Sequence, residues 1–285
     1  MGLSTLHPLV TAVDLSTGNW PENILECSVR YQFYGIFLKQ GQSCKIKYGR
    51  QNYDYQDGTL VFAGPGQVVS ITEIDYSSRP SGHALLFHPD LLRGSHLRKD
   101  IEQFTFFSYA LHEALHISEK EREIVLDSFN KIQWELSQGI DRHSKKVILS
   151  SIELFLNYCT RFYDRQFITR DNANFGIIER SVSDLMAYID SGMAIEQGVP
   201  AGSYFADKQH LSPNYFEDLI KKETGKSALE FIQGKLIEYA KSQMFDPEKT
   251  ISEIAYELGF KYPQHFTRLF KNKVGCAPNA YRMLN

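Results

Sequence analysis

The chain has 285 residues, 42% hydrophobic and 13% aromatic, with 31 Lys and Arg against 34 Asp and Glu and a formal net charge of −3. That length accommodates two domains, each with its own core. The charge excludes a protein that coats nucleic acid through overall positive charge but not a sequence-specific binder, whose field is local, and no apolar run approaches the ~20 residues of a membrane helix.

The first residues, MGLSTLHPLV, lack the basic start and long apolar core of a signal peptide, so a cytoplasmic protein is expected. Cys27, Cys44, Cys159 and Cys276 are scattered without a CxxC pair, which fits free thiols in a reducing compartment. From Val29 to about Leu86 the pattern is short, aromatic and punctuated by turns. Strands are expected at Arg30–Leu38, Cys44–Tyr48, Thr59–Ala63, Val68–Ile71 and His83–Phe87, with Asp57-Gly58 as a hairpin-type turn. Strands at this spacing suggest a small β-barrel or sandwich over about residues 25–90. Tyr31, Phe33, Tyr53, Tyr55 and His83 either line a small-ligand pocket in it or fill its core. No HxH pair lies on these strands to hold a metal, and His83 and His88 do not replace one. Gly64-x-Gly66 is a turn rather than a phosphate loop, since no lysine and helix follow. No cofactor is expected.

His112-Glu113-Ala114-Leu115-His116 matches HExxH, in which two histidines one helical turn apart share a zinc ion and the glutamate acts as base. The context argues against that chemistry. Ser118 and Glu121 form a capping-box pair, so a helix begins after the motif rather than containing it. A loop or single helical turn is the expected state. The rival it leaves is an enzyme: a cupin-type or zinc-dependent hydrolase with an appended helical domain.

Two amphipathic helices follow, Glu119–Gln138 and His143 to about Tyr163. The second is apolar over more than one face, which suggests a partner helix and a homodimer. The polar stretch Asp164–Phe175 is the best linker candidate, and Glu179–Ile189 begins another helix.

The C-terminal third carries the strongest signal. Thr250 and Glu253 have capping-box spacing, Ile254, Ala255 and Leu258 form an inner face, and Gly259 can end the helix in a left-handed conformation. Pro263 suits the first position of a second helix, whose buried stripe is Phe266, Leu269 and Phe270. Gln264, His265, Thr267, Arg268 and Lys271 are left facing outward. From Lys261 onward every charged side chain is basic. An earlier copy of the unit precedes it: Leu219, Lys221, Gly225 and Phe231 match Leu269, Lys271, Gly275 and Tyr281 fifty positions on. Ser227–Phe245 between the copies reads as one helix of roughly 28 Å at ~1.5 Å per residue. That length suits two recognition helices in neighbouring major grooves, about 34 Å apart.

Phe216-x-x-Leu219-Ile220-Lys221-Lys222-x-x-Gly225, Ile254-Ala255-x-x-x-Gly259-Phe260 and Phe266-Thr267-Arg268-Leu269-Phe270-Lys271-x-x-x-Gly275-x-x-Pro278-x-x-Tyr281-Arg282 together resemble the paired helix-turn-helix domain of the AraC/XylS bacterial transcription regulators. Similarity to that family's N-terminal effector domain is weaker. The resemblance implies an α+β chain. Residues 1–165 would be a cupin-like barrel with a helical dimerisation region (about 119–163), residues 166–178 a linker, and residues 179–285 an all-α DNA-binding domain. It implies double-stranded DNA and RNA polymerase as partners, a small-molecule effector, and activation as the output. Carried over by position, the DNA contacts would be Ser212, Asn214, Glu217, Asp218 and Lys221 in the first unit, and Gln264, His265, Thr267, Arg268 and Lys271 in the second. Glu217 and Asp218 depart from the family's usual Gln, Arg or aromatic residues. They accept from cytosine, face solvent, or pair with Lys221 and Lys222, so the second unit is expected to provide more of the affinity.

Overall fold

The computed structural model describes residues 7–18, 27–30, 32–39, 46–48, 51–53, 58–71, 81–139, 141–169 and 171–284. The chain separates into two compact units, residues 1–169 and 170–285.

Among the described residues the first unit holds nine strands: β1 Val10–Asp14, β2 Cys27–Arg30, β3 Tyr34–Lys39, β4 Ile46–Tyr48, β5 Gln51–Tyr53, β6 Thr59–Ala63, β7 Val68–Ile71, β8 Gly82–Phe87 and β9 Leu115–His116. Five form one antiparallel sheet in the order β1-β8-β3-β6-β9, while β2–β7 and β4–β5 are separate pairs. The closed cupin-like barrel expected from the sequence is not formed by the described strands. Their main sheet is open, with β1 and the two-residue β9 as its edges. The single strand expected at Arg30–Leu38 is two strands, because β2 pairs with β7 whereas β3 lies between β6 and β8. The chain changes sheets between them.

Alternation along the central strands sends Ile36, Leu38, Leu60, Leu85 and Phe87 into the core, each fully buried. Above the sheet lie a short helix, α1 Leu97–Asp100, and two long ones, α2 Glu119–Ser137 and α3 Ser144–Thr169. Val125, Phe129, Ile132 and Leu136 recur at helical spacing and form the buried stripe of α2. Phe129 stacks its edge on Phe155 of α3 with ring centroids 5.3 Å apart. Ser118 starts α2 as the sequence predicts: its Oγ accepts from Glu121 N–H, and the Glu121 carboxylate accepts from Ser118 N–H at 2.8 Å.

The second unit is all helical: α4 Asp171–Asp190, α5 Met193–Gln197, α6 Gly202–Lys208, α7 Pro213–Thr224, α8 Ala228–Gln243, α9 Ile251–Glu257, α10 Pro263–Val274 and α11 Pro278–Leu284. The division between the units falls between residues 169 and 170, inside the stretch 166–178 expected as a linker, and the described residues on either side of it are helical. Residues through Thr169 belong to α3 and residues from Asp171 belong to α4. Their polar side chains are used inside the fold: Gln166 and Asn174 are both 2% exposed and hydrogen-bonded. Among the described residues no helix is long and apolar enough to cross a membrane.

Candidate nucleic-acid interface

The second helix-turn-helix unit is α9, its turn and α10. Thr250 caps α9, accepting from Glu253 N–H at 3.1 Å, and the Glu253 carboxylate accepts from Thr250 N–H at 2.7 Å. That backbone bond holds the Glu253 carboxyl below its ordinary pKa. Ile254, Ala255 and Leu258 are fully buried. Gly259 ends the helix at φ +88°, and a Cβ there would lie 2.6 Å from the Gly198 carbonyl carbon and 2.7 Å from Val199 N. The position therefore needs glycine both for its conformation and for close backbone approach. Phe260 turns inward against Phe266, and Phe266 packs on Phe270.

Pro263 then opens α10 at its first turn. With Phe266 and Phe270 wholly buried, helical spacing leaves Gln264, His265, Arg268 and Lys271 exposed and Thr267 half-buried beside them. These are donors and cations at the start and along one face of a helix, as major-groove reading requires. Beyond Glu257 the sequence has no carboxylate side chain, so nothing on α10 itself repels phosphate. Arg282 adds to this tail. Its Nε and Nη2 are buried without a hydrogen-bond partner.

The first unit, α6, its turn and α7, is built alike but not identically. Phe205 of α6 stacks on Phe216 of α7. The left-handed turn position is held by His210 at φ +57° rather than by glycine. Gln209 in the same turn accepts from Arg180 Nε at 2.7 Å and donates to Asp184 at 2.9 Å, which braces the turn on α4. Ser212 is the N-cap of α7, with its Oγ accepting from Tyr215 N–H at 3.3 Å. Asn214 and Lys221 are exposed and Asp218 is half-buried.

Glu217 does not sit where the sequence placed it. Both of its carboxylate oxygens lie 3.2 Å from Ala228 N, so the side chain caps the start of α8. An anion there satisfies an orphan N–H and meets the positive end of the helix. The fifty-residue register held the signal: Ala228 corresponds to Pro278, which has no N–H to satisfy, and Glu217 corresponds to Thr267. Between the units, α8 spans 16 residues, about 24 Å at ~1.5 Å each and shorter than expected. It is closed at its start by a Ser227/Glu230 capping box.

The N-terminal candidates are not brought together. Tyr31 and Tyr55 lie outside the described residues, and of Tyr53 only the strand backbone is described. Phe33 meets the ring of His88, beyond the end of β8, at 5.2 Å. His83 near the other end of β8 lies 5.5 Å from Phe129 of α2, with its Nδ1 buried and unpartnered. The HExxH residues form a 3-10 turn followed by a two-residue strand. His112 and Glu113 lie in a 3-10 turn and His116 in β9, so the two histidines do not share a helix face. The Glu113 carboxylate accepts from Ala110 N–H at 2.6 Å. Among the described residues no three metal-ligating side chains cluster.

Two successive helix-turn-helix units on a shared connecting helix define the class of the second unit. Residues 205–283 match the family described as "Helix-turn-helix domain", and this part of the chain is a helix-turn-helix domain. Similar proteins include the uncharacterized HTH-type transcriptional regulator YobQ of Bacillus subtilis, 34% identical over 27% of this chain and 32% of that protein. Another, the uncharacterized HTH-type transcriptional regulator YfiF of the same organism, is 30% identical over 50% of this chain and 41% of its own length. The aligned stretches thus span less than half of these curated relatives. Among solved structures, the C-terminal domain of AraT, a response regulator from Geobacillus stearothermophilus, is 28% identical. It covers 38% of this chain and 85% of that one, with a TM-score of 0.33.

Proposed function

We propose that the protein is a sequence-specific, DNA-binding transcription regulator acting in the cytoplasm. One observation carries the reading: α10 presents Gln264, His265, Thr267, Arg268 and Lys271 on one face above a buried Phe266/Phe270 stripe, in a tail free of carboxylates. Gln and Arg near the start of such a helix reach base edges, while Lys271 reaches phosphate. Asn214 and Lys221 of α7 make the corresponding contacts in the first unit. The regulators named among the similar proteins support the same class.

The test is binding-site selection from a random duplex pool with the full chain, followed by substitutions. Arg268→Ala is expected to cost about 1–3 kcal/mol on the selected site and to relax preference at one base pair. Lys271→Ala is expected to weaken binding to all sequences alike and to lower the salt slope by about one. An Arg268→Ala variant with unchanged affinity and preference would show that α10 is not the reading helix.

Residues 1–169 would supply regulation. In this proposal they respond to a small-molecule effector, and output passes through contact with RNA polymerase. Trp134 of α2 and Val147 and Leu154 of α3 are 65%, 43% and 52% exposed, an apolar set suited to a second copy of the chain. Sedimentation of the wild type against Leu154→Lys tests the homodimer, which the variant should shift towards monomer.

A further inference from the structure

The two recognition helices occupy equivalent places in repeated units, yet one position differs in what it is free to do. Thr267 sits half-buried in the middle of α10, and the helix after it begins with Pro278, which has no N–H. Glu217, its counterpart on α7, is engaged through both oxygens with Ala228 N–H at 3.2 Å. If Glu217 swung out to accept from a cytosine amino group, that N–H would be left bare at the start of α8. Losing a hydrogen bond to a charged group amounts to a factor of about ten or more. The outward carboxylate would also approach the phosphates. Ser212, the N-cap of α7, is likewise occupied, its Oγ accepting from Tyr215 N–H.

We infer that the protein reads its site unevenly: base preference is concentrated in the groove segment facing α10, and Glu217 is the residue that withholds the centre of α7 from base reading. The inference rests on the DNA-reading proposal above and adds where in the site the information lies. It makes Glu217 a positioning residue whose removal changes specificity rather than merely stability. Asn214 at the start of α7 and Lys221 in its last turn are exposed, and on this inference they are left to meet the first segment while Glu217 does not.

The experiment uses the full chain in four forms: wild type, Arg268→Ala, Glu217→Gln, and the double variant Glu217→Thr with Ala228→Pro, which copies the second helix-turn-helix. Each is put through selection from a random duplex pool at low salt. The Arg268→Ala variant identifies which segment of the motif faces α10. In the wild-type motif, base preference should be stronger in that segment. The double variant should gain a new preference of about fivefold or more at one base pair in the other segment. Glu217→Gln should leave the motif unchanged, because an amide oxygen can still accept from Ala228 N–H. Equal preference in both segments of the wild-type motif overturns the inference but leaves the regulator reading standing. A changed first-segment preference in Glu217→Gln also overturns it, since the carboxylate would then be reading a base. A pool with no enriched motif for any form overturns the DNA-reading proposal, and the inference with it. The wild-type motif decides the matter even if the double variant fails to fold.

Discussion

At the scale of single residues, the two turns of the paired units pose the same backbone problem and solve it differently. Gly259 takes φ +88° with backbone of Gly198 and Val199 against it, whereas His210 takes φ +57°. A left-handed residue with a Cβ carries roughly 1–2 kcal/mol of strain. His210→Gly is therefore expected to stabilise the helical part of the chain, residues 170–285, by about 1 kcal/mol, read as a raised midpoint in urea. Gly259→Ala adds a steric clash to the strain and should destabilise by about 3 kcal/mol or more, or prevent folding. Pro263, the Thr250/Glu253 pair and the left-handed conformation of Gly259 were legible in the sequence because each acts within its own turn of chain; the backbone packed against Gly259 was not. Glu217 was not, because its partner lies across a packing contact. A carboxylate on a recognition helix reads as a groove residue until the donor beside it is seen.

At the scale of elements, capping boxes at Ser118/Glu121, Ser227/Glu230 and Thr250/Glu253 start three helices. Glu230 and Glu253 are held below their ordinary pKa of 4.5, each first by the backbone N–H it accepts from its own cap residue. A carboxylate whose folded pKa is depressed contributes stability above its unfolded value and loses that contribution as pH falls through the folded one. The second unit should therefore weaken below about pH 4.5, at the starts of α8 and α9. Glu253→Gln should reduce the acid-dependent part of the change, measured by circular dichroism during acid titration. The same scale bears on the stretch expected as a linker. Residues Asp164 to Phe175 look like solvated loop from composition, yet Phe167 is 4% exposed and Gln166 and Asn174 bond to groups the sequence cannot place beside them. Gln166 bonds β9 and Asn174 bonds Glu223 of α7. The edge strand β1 was missed for a related reason. Only Val10 and Ala12 of its five residues are buried, too short an alternation to register.

At the scale of the whole molecule, two units with separate cores at 1–169 and 170–285 give calorimetry two transitions to resolve. A ligand that binds only the folded form of one unit raises only that unit's transition, so duplex carrying the selected site should raise the one assigned to residues 170–285. Both transitions rising together would mean the units unfold as one. The all-helical unit was legible from motif, spacing and repetition. The sheet's openness was not, since pairing order is a long-range property that strand periodicity does not encode. The connection between sheet and helices, with its protease-like HEALH, resolves into a clamp. Tyr163 Oη donates to Glu113 O at 3.1 Å, Arg165 Nη2 to His116 O at 2.6 Å, and Gln166 Nε2 to Ala114 O at 3.2 Å. The Gln166 side-chain oxygen also accepts from His116 N–H at 2.7 Å. One turn of α3 thus holds the backbone of this short edge segment, a place where chains ordinarily fray. Deuterium should consequently enter the His116 amide slowly, on the clock of α3 rather than of a surface loop, and Gln166→Ala should release it.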